Sequence, residues 1–137
     1  MLAHKGSKEG LVAAGVIAGL KESYDVRCVP AVIFTSPEMS SVGLTEDQCK
    51  EKGLAYKTGS FPFAASGRAM SLMETEGFVK LITDAKTDEI LGVHMVGPEV
   101  TELIQGFSIA KKLETTEHEL MHTIFPHPTL SEAMHES

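Results

Sequence analysis

Alternation of apolar and polar residues gives the strongest strand signals of this chain. The segments Gly77–Asp84 and Glu89–Gly97 both alternate, and the four residues AKTD between them suit a tight turn. The pattern therefore predicts an antiparallel hairpin. Further strands are predicted where β-branched and aromatic residues gather: from about Ala31, over the short stretch SSVGL, and over AYKTGSFPF up to Pro62.

Apolar residues at helical spacing predict two longer helices. The run from Leu2 to Leu20 contains ten consecutive apolar or glycine residues, which are too few to cross a bilayer. Glu9 beside this run, three glycines and the lack of a clean A-x-A site argue against a cleaved leader. We interpret the run as a buried or packed helix. A second, amphipathic helix is predicted to start at Pro98 and to end near Lys111–Lys112.

Capping signals predict the shorter helices. The sequences TEDQ (45–48) and TEHE (116–119) are capping boxes, so helices are predicted from 45 to Gly53 and from 116 through His122. AASGRAMSL is typical of a turn or of one helical turn. Thr129–Glu136 is predicted to form a last short helix. Strands with a hairpin and helices at both ends indicate an α+β fold, an antiparallel sheet flanked by helices.

Composition and charge narrow the class of protein. The 137 residues, of which 42% are hydrophobic and 23% charged, suit one soluble globular domain. With 12 basic and 19 acidic residues the net charge is −7, so nucleic acid is an unfavourable partner and a basic protein surface a favourable one. Cys28 and Cys49 form no disulfide framework, which favours a reducing compartment.

The string HELMH, from His118 to His122, matches the H-E-x-x-H pattern that places two imidazoles on one helix face for zinc. The extended zinc motif is not completed, because Phe125 and Pro128 stand where it has glycine and histidine. Glu119, the general base of that motif, is also expected to be engaged in the capping box. We therefore favour two surface histidines on a capped helix, and we predict no metal site.

A second candidate for chemistry is FPHPTLSE, Phe125–Glu132. Pro126 and Pro128 fix the backbone on both sides of His127, and Glu132 follows at the fifth position on the predicted helix. A carboxylate on one ring nitrogen sets the tautomer and raises the basicity of the other nitrogen. The spacing thus indicates a general base for thiols or alcohols. It is equally compatible with a surface turn in which the acid caps a helix.

The other histidines and the two cysteines show no pattern that indicates a chemical role. His4, His94 and His135 are expected to be structural or solvated, and Cys28 and Cys49 to be inert buried thiols. The sequence contains no G-x-G-x-x-G after a strand, no P-loop and no closely spaced cysteine pair. If His127 is a base, the group that it serves lies outside this chain.

Four stretches carry a resemblance to a known family: MLAHKGSKEG, FPFAASGRAM, TDEILGVHMVGPE and above all FPHPTLSEAMHES. Across essentially the whole chain, the sequence resembles the C-terminal part of the dihydrolipoyl dehydrogenases, flavoproteins of the pyridine nucleotide–disulfide oxidoreductase family. HPTLSE is shared by the wider family, which includes glutathione reductase. FAASGRA is similar to the lipoamide branch in particular.

The resemblance implies that this chain is one part of a longer enzyme that binds FAD and NAD in domains preceding it. Residues 1–25 would be the tail of the FAD domain, and residues 26–137 the interface domain that forms the homodimer. The segment that contacts the flavin in the family corresponds here to Met1, Leu2, Ala3 and His4. The chain alone is expected to bind neither cofactor and to be inactive.

The resemblance also implies roles for the two candidate site residues. His127 would be the catalytic base and Glu132 its orienting partner. The imidazole would reach the active site of the other subunit and take a proton from a dihydrolipoyl thiol, so that the thiolate attacks a disulfide. The bond between His127 and Pro128 is expected to be cis, as in the family.

The implied partners are a second copy of the chain and the dihydrolipoyl group of an acyltransferase or carrier protein, in the bacterial cytoplasm or the mitochondrial matrix. An alternative is a stand-alone dimerisation or interaction module that docks the basic subunit-binding domain of a 2-oxo-acid dehydrogenase complex. A small zinc peptidase ranks third.

Overall fold

Five strands form one antiparallel sheet in the order β1-β2-β5-β4-β3 in a computed structural model that describes residues 2–137. The strands are β1 Ala31–Ile33, β2 Glu38–Gly43, β3 Tyr56–Pro62, β4 Phe78–Asp84 and β5 Ile90–Gly97. The helices are α1 Ala3–Ile17, α2 Glu46–Glu51, α3 Gly67–Leu72, α4 Val100–Lys112, α5 Glu117–His122 and α6 Ala133–Glu136. Short 3-10 turns cover Val26–Cys28, Phe63–Ala65 and Leu130–Glu132. The predicted α+β class with an antiparallel sheet is confirmed.

The hairpin β4–β5 is the centre of the sheet, as the alternation predicts. Leu81 pairs with Val93 and Val79 with Met95, and all four side chains are buried. A register shift between Ile82 and Thr83 marks a bulge. Strand β3 adds to one side of the hairpin and β2 to the other, so the edges of the sheet are β1 and β3.

Helix α4 covers one face of the sheet and closes the core. Its residues Val100, Ile104 and Phe107, at the spacing of one helical face, are at most 2% exposed. The core continues through the sheet and into the last residues of the chain, with the members Val42, Phe63, Val79, Leu81, Ile90, Val93, Met95, Leu130, Ala133 and Met134. The C-terminal segment therefore belongs to the same core as the sheet.

Helix α1 differs from its prediction in burial. The helix is present, but Val12 is its one buried residue in the part of the chain that the structure describes. Leu11 is 68% exposed and Ile17 87%. The expectation of a buried or packed helix over Leu2–Leu20 was wrong on this point, because within residues 2–137 the apolar side chains of α1 other than Val12 are left largely uncovered.

The local signals gave the shorter elements correctly, with small corrections. The capping boxes of α2 and α5 are present as predicted. Pro98 stands before α4 rather than inside it, because Glu99 is the N-cap and has a φ of 56°. Cys28 is half-buried, not buried, since it ends an exposed 3-10 turn. Among the described residues no helix combines the length and hydropathy that a membrane span requires.

Candidate active site in the C-terminal segment

The C-terminal segment, which we define as residues 125–137, is held in place by its apolar side chains. Leu130 is 9% exposed, Ala133 1% and Met134 8%. The thioether of Met134 lies over Gly106 of α4, where a Cβ atom would stand 2.9 Å from the sulfur. A side chain at position 106 would force the end of Met134 to shift, so the segment packs closely against α4.

The structure brings the two predicted site residues together. The Nδ1 atom of His127 lies 2.7 Å from Oε1 of Glu132. The peptide bond between His127 and Pro128 is cis, as expected. The side chain of His127 is 78% exposed and that of Glu132 24%. Because Nδ1 makes the contact with the carboxylate, the imidazole can present Nε2 to a group outside the segment.

Glu132 is itself held by a second contact. Its other oxygen, Oε2, accepts a hydrogen bond of 2.8 Å from the backbone N–H of Thr129, which completes a capping box. The hydroxyl of Thr129 donates to the carbonyl oxygen of Pro126, also at 2.8 Å. These bonds join both sides of His127 into one rigid turn.

The electrostatics of the pair follow from these bonds. The backbone N–H of Thr129, and after it the imidazole of His127, lower the pKa of Glu132 from its usual value. The carboxylate is therefore ionised at neutral pH and favours the tautomer in which Nδ1 carries the proton. Nε2 is then the free, basic nitrogen, and the arrangement can accept a proton from an incoming group.

A third side chain, that of His135, supports this turn through a contact that the sequence analysis did not predict. The ring of His135 stacks on that of Phe125, with centroids 4.9 Å apart and planes at 29°. Phe125 packs against the core and stands two residues before His127. His135, expected to be structural or solvated, thus has a structural contact. No spacing rule predicts it, because the two rings meet through the fold of the segment rather than along one helix.

In helix α5, which contains the HELMH string, Glu119 caps the helix and the two histidines lie at the surface. Oε2 of Glu119 accepts a hydrogen bond from the hydroxyl of Thr116 and another, of 2.9 Å, from its backbone N–H, and these two bonds, in that order, lower the pKa of the Glu119 carboxyl. The rings of His118 and His122 lie 4.2 Å apart at the exposed surface. Within residues 2–137 no group of three or more potential metal ligands is found. The capping role of Glu119 is confirmed.

The segment predicted to contact a flavin lies at the start of α1, far along the chain from this pair. Met1 lies outside the described residues. Leu2 is the N-cap of α1 and gives no side-chain cap, and Ala3 begins the helix. His4 Nε2 lies 2.8 Å from the carbonyl oxygen of Pro30, so its ring ties the helix to the segment before β1. Within residues 2–137, the N-cap residue Leu2 provides no side-chain hydrogen bond to the backbone N–H groups of this first turn.

The remaining candidates are structural. His94 Nε2 lies 3.0 Å from the carbonyl oxygen of Leu44. Cys49 is fully buried, and burial raises the pKa of its thiol. Cys28 and Cys49 are both free thiols. The buried Cys49 therefore lacks the exposed, low-pKa environment of a reactive cysteine.

Comparison with known proteins gives one family. Residues 29–137 match the family model described as pyridine nucleotide-disulphide oxidoreductase, dimerisation domain. The chain is 51% identical over 138 residues to a dihydrolipoyl dehydrogenase of Zymomonas mobilis, covering 99% of this chain and 30% of that protein. It is 56% identical over 139 residues to one of Rhizobium etli, covering 100% of this chain and 29% of that protein.

Solved structures agree with this result. LpdA from Mycobacterium tuberculosis superposes with a TM-score of 0.92 at 29% identity, over 98% of this chain and 30% of that one. The HOCl-induced flavoprotein disulfide reductase RclA from Escherichia coli gives a TM-score of 0.83 at 29% identity, over 90% of this chain and 29% of that one. The chain spans about 30% of the length of the relatives that it matches.

Proposed function

The chain belongs to the pyridine nucleotide-disulphide oxidoreductase family, whose dimerisation domain it contains at residues 29–137, and from this premise we propose that it is the C-terminal part of a dihydrolipoyl dehydrogenase. In this proposal His127 and Glu132 are the acid/base pair for the oxidation of a dihydrolipoyl group. The observation that carries it is the 2.7 Å contact between Nδ1 of His127 and Oε1 of Glu132.

The pair has the properties that a thiol substrate requires. An ordinary thiol has a pKa near 8.5 and is mostly protonated at neutral pH, whereas only the thiolate attacks a disulfide. Nε2 of His127 accepts the thiol proton, and the ionised Glu132 stabilises the imidazolium that forms. The same nitrogen returns the proton to a leaving sulfur when the reaction runs backward.

The exposure of the pair supports a site completed by a second subunit. His127 is 78% exposed, and such a base has no enclosed site within its own segment. Cys28 and Cys49 are free thiols that form no closely spaced pair, so the redox-active sulfurs belong to another part of the protein in this proposal. A homodimer of the dimerisation domain would bring the imidazole of one chain to the sulfurs of the other.

The start of α1 fits a limited part of a flavin site. The uncapped backbone N–H groups of its first turn can donate to a carbonyl oxygen of an isoalloxazine ring. We therefore keep Met1, Leu2, Ala3 and His4 as the proposed FAD-contacting segment. FAD and NAD⁺, bound by the preceding domains, supply the redox chemistry that receives the two electrons of the dithiol.

The proposed domain boundary falls between residues 25 and 26. Residues 1–25 would be the tail of the FAD domain, and residues 26–137 the interface domain. Two observations support this division: the family match begins at residue 29, and α1 exposes apolar residues such as Ile17 and Leu11. In the full-length protein these residues would pack on the FAD domain.

The variant His127→Gln in the full-length protein tests the catalytic assignment. Loss of a general base costs about 10²–10⁴-fold in rate, so dihydrolipoamide turnover falls by at least a hundredfold while flavin content stays normal. His118→Gln, which removes an exposed imidazole of α5, is the matched control and keeps near-normal turnover. Near-normal turnover of His127→Gln would remove the assignment.

A second candidate function is an interaction module that docks a basic subunit-binding domain of a 2-oxo-acid dehydrogenase complex. The net charge of −7 supports it, as does a cavity of about 510 Å³ whose lining includes Glu38, Glu74, Glu76 and Glu99. Such docking weakens steeply as salt rises from 0.05 to about 0.5 M, since screening shortens the Debye length. Salt-insensitive or absent binding would contradict it.

The place of action follows the proposed enzyme. Relatives occur in bacteria and, as a dihydrolipoyl dehydrogenase named mitochondrial, in Caenorhabditis elegans at 44% identity. We propose the bacterial cytoplasm or the mitochondrial matrix. An immunoblot of source cells against this domain tests the size of the protein: a band several times larger than 14.8 kDa supports the enzyme, and a band at this size supports the module.

A further inference from the structure

Lys111 is a buried lysine that the proposed enzyme does not use. It stands in the last turn of α4 and is only 8% exposed. Its Nζ donates a hydrogen bond of 2.9 Å to the carbonyl oxygen of Ile90. An ammonium group has three N–H donors, and burial of a charge without further acceptors is costly. Desolvation accordingly lowers the pKa of Lys111.

The position of Lys111 is built into the surrounding backbone. Its stem passes over Gly43 at the end of β2, where a Cβ atom would stand 2.9 Å from Cε of the lysine. The same Cβ atom would stand 2.2 Å from the carbonyl oxygen of Leu91, and Gly43 has a φ of 81°. Only glycine satisfies these conditions. The lysine is thus held at one place by the sheet and by the helix.

Lys111 lines a cavity of about 440 Å³. The cavity lies between the 3-10 turn Val26–Cys28, the corner that joins β2 to α2, and the end of α4. Its charged lining residues are Arg27, Lys52, Lys111 and Glu89. Cations therefore outnumber anions here, although the whole chain carries −7. The guanidinium of Arg27 is bonded to Asp25 at 3.0 Å, so the two lysines are the cations left for a ligand.

The rest of the cavity wall is aliphatic. Four of its lining side chains are Val26, Val29, Leu44 and Leu91, and Gln48 adds one amide. Pockets of about 300–1,000 Å³ that combine an apolar wall with few polar groups are typical small-molecule sites. A free phosphate ion would leave the aliphatic wall without a contact, whereas an alcohol would bring no anionic group to the buried ammonium of Lys111.

We propose that this cavity, which we call the Lys111 cavity, binds a short aliphatic carboxylate. The carboxylate accepts hydrogen bonds from Nζ of Lys111 and is approached by Lys52, and the hydrocarbon chain packs on the valine and leucine side chains. The site is separate from the His127–Glu132 pair. The proposal stands on the burial of Lys111 and on the lining of the cavity, and it does not depend on the proposed enzyme.

The test is calorimetric titration of the full-length protein with hexanoate, hexan-1-ol and inorganic phosphate. Hexanoate binds with a Kd of about 1 mM, as expected for a ligand with few heavy atoms, and the other two probes bind at least about tenfold more weakly. Equal binding of phosphate would show a simple anion site and would overturn the aliphatic part of the proposal. Absence of hexanoate binding would show a water-filled cavity and would overturn the whole proposal.

Two variants locate the site. Lys111→Met removes the charge and keeps most of the stem, and it weakens hexanoate binding by about tenfold or more because a charge-assisted hydrogen bond is lost. Lys86→Gln, an equal charge change at the exposed hairpin turn, leaves the affinity within twofold. If Lys111→Met binds hexanoate as the unmodified protein does, the assignment is wrong.

A second measurement covers the case in which Lys111→Met does not fold. In the unmodified protein, hexanoate produces shifts and intermolecular NOEs at the methyl groups of Val29 and Leu44. Lys52→Gln, a change at an exposed position, weakens the affinity by about threefold, the size expected for a partly screened charge. Methyl shifts elsewhere in the protein with none at Val29 and Leu44 would contradict the proposed location.

Discussion

The two ends of the chain are both rich in apolar residues, but only one of them is packed. The C-terminal segment buries Leu130, Ala133 and Met134 against α4 and the sheet. Helix α1 is longer and more apolar, yet Val12 is its one buried residue within the described chain. Apolar composition therefore does not decide burial. What decides it is whether another element of the same domain covers the side chain.

This difference bears directly on function. The C-terminal segment packs its buried side chains against other elements of the domain, and the contact between His127 and Glu132 lies wholly within residues 125–137. Helix α1 makes few packing contacts within the described chain, so its role in the proposed enzyme depends on parts of the protein beyond the domain. The proposed acid/base pair belongs to the packed end, and the proposed flavin-contacting segment to the unpacked end.

The largest expected effect comes from removing an anchor of the packed end. Met134→Ala loses about 2–4 kcal/mol of the free energy of unfolding, because it empties a buried site over Gly106. Urea denaturation measures the loss. Met121→Ala, at a position that is 55% exposed, is the matched control and changes stability by less than about 0.5 kcal/mol. Equal losses of stability in the two variants would contradict the claim that the C-terminal segment is packed into the core.

The next effect concerns the pair itself. Glu132→Gln in the full-length protein lowers dihydrolipoamide turnover by about 10–100-fold, the range found when a partner that orients a histidine is removed. Glutamine keeps the shape and can still accept from the N–H of Thr129, so the fold is retained. Glu136→Gln, at a side chain that is 51% exposed, stays within twofold. A Glu132→Gln enzyme with unchanged turnover and an unchanged pH profile would mean that Glu132 only caps the turn.

Acid weakens the turn through Glu132. The pKa of this carboxyl is lowered in the folded chain, so its stabilising contribution is present above the ordinary carboxyl pKa of about 4.3 and is lost as pH falls through the folded value. The difference in Tm between the unmodified protein and Glu132→Gln is therefore present at pH 6 and shrinks towards about pH 3. A difference that grows on acidification would contradict the hydrogen-bond pattern.

The smallest effect belongs to the unpacked end. In the chain of residues 1–137, Ile17→Gln changes the free energy of unfolding by less than about 0.5 kcal/mol, because Ile17 is 87% exposed. In the full-length protein the same variant destabilises more strongly if α1 packs on an FAD domain. Equal, small effects in both contexts would remove the proposed division at residue 25.

The sequence predicted most of the fold because its signals are local. The alternation of the hairpin β4–β5 and the capping boxes of α2 and α5 each lie within a few residues. The contact between His127 and Glu132 was one of two arrangements that the spacing allowed. Pro126 and Pro128 restrict the backbone on both sides of His127, and Glu132 follows five positions later, but a surface turn in which the acid only caps a helix was equally compatible.

The features that could not be predicted depend on contacts between distant parts of the chain. Phe125 and His135 stack only after the segment has folded back on itself. The burial of Lys111 depends on Gly43, which lies 68 positions earlier (111 − 43). The exposure of α1 depends on what covers it, which no pattern within α1 contains.

The most direct test of the central claim separates the thiol step from the rest of the reaction. Full-length protein carrying His127→Gln is mixed rapidly with dihydrolipoamide or with NADH, and reduction of the bound flavin is followed by its absorbance. Since the proposed pair would act on the thiol alone, we expect reduction by dihydrolipoamide to slow by at least about a hundredfold and reduction by NADH to keep its normal rate. Equal rates with dihydrolipoamide for the variant and the unmodified enzyme, or equal slowing with both reductants, would contradict the account.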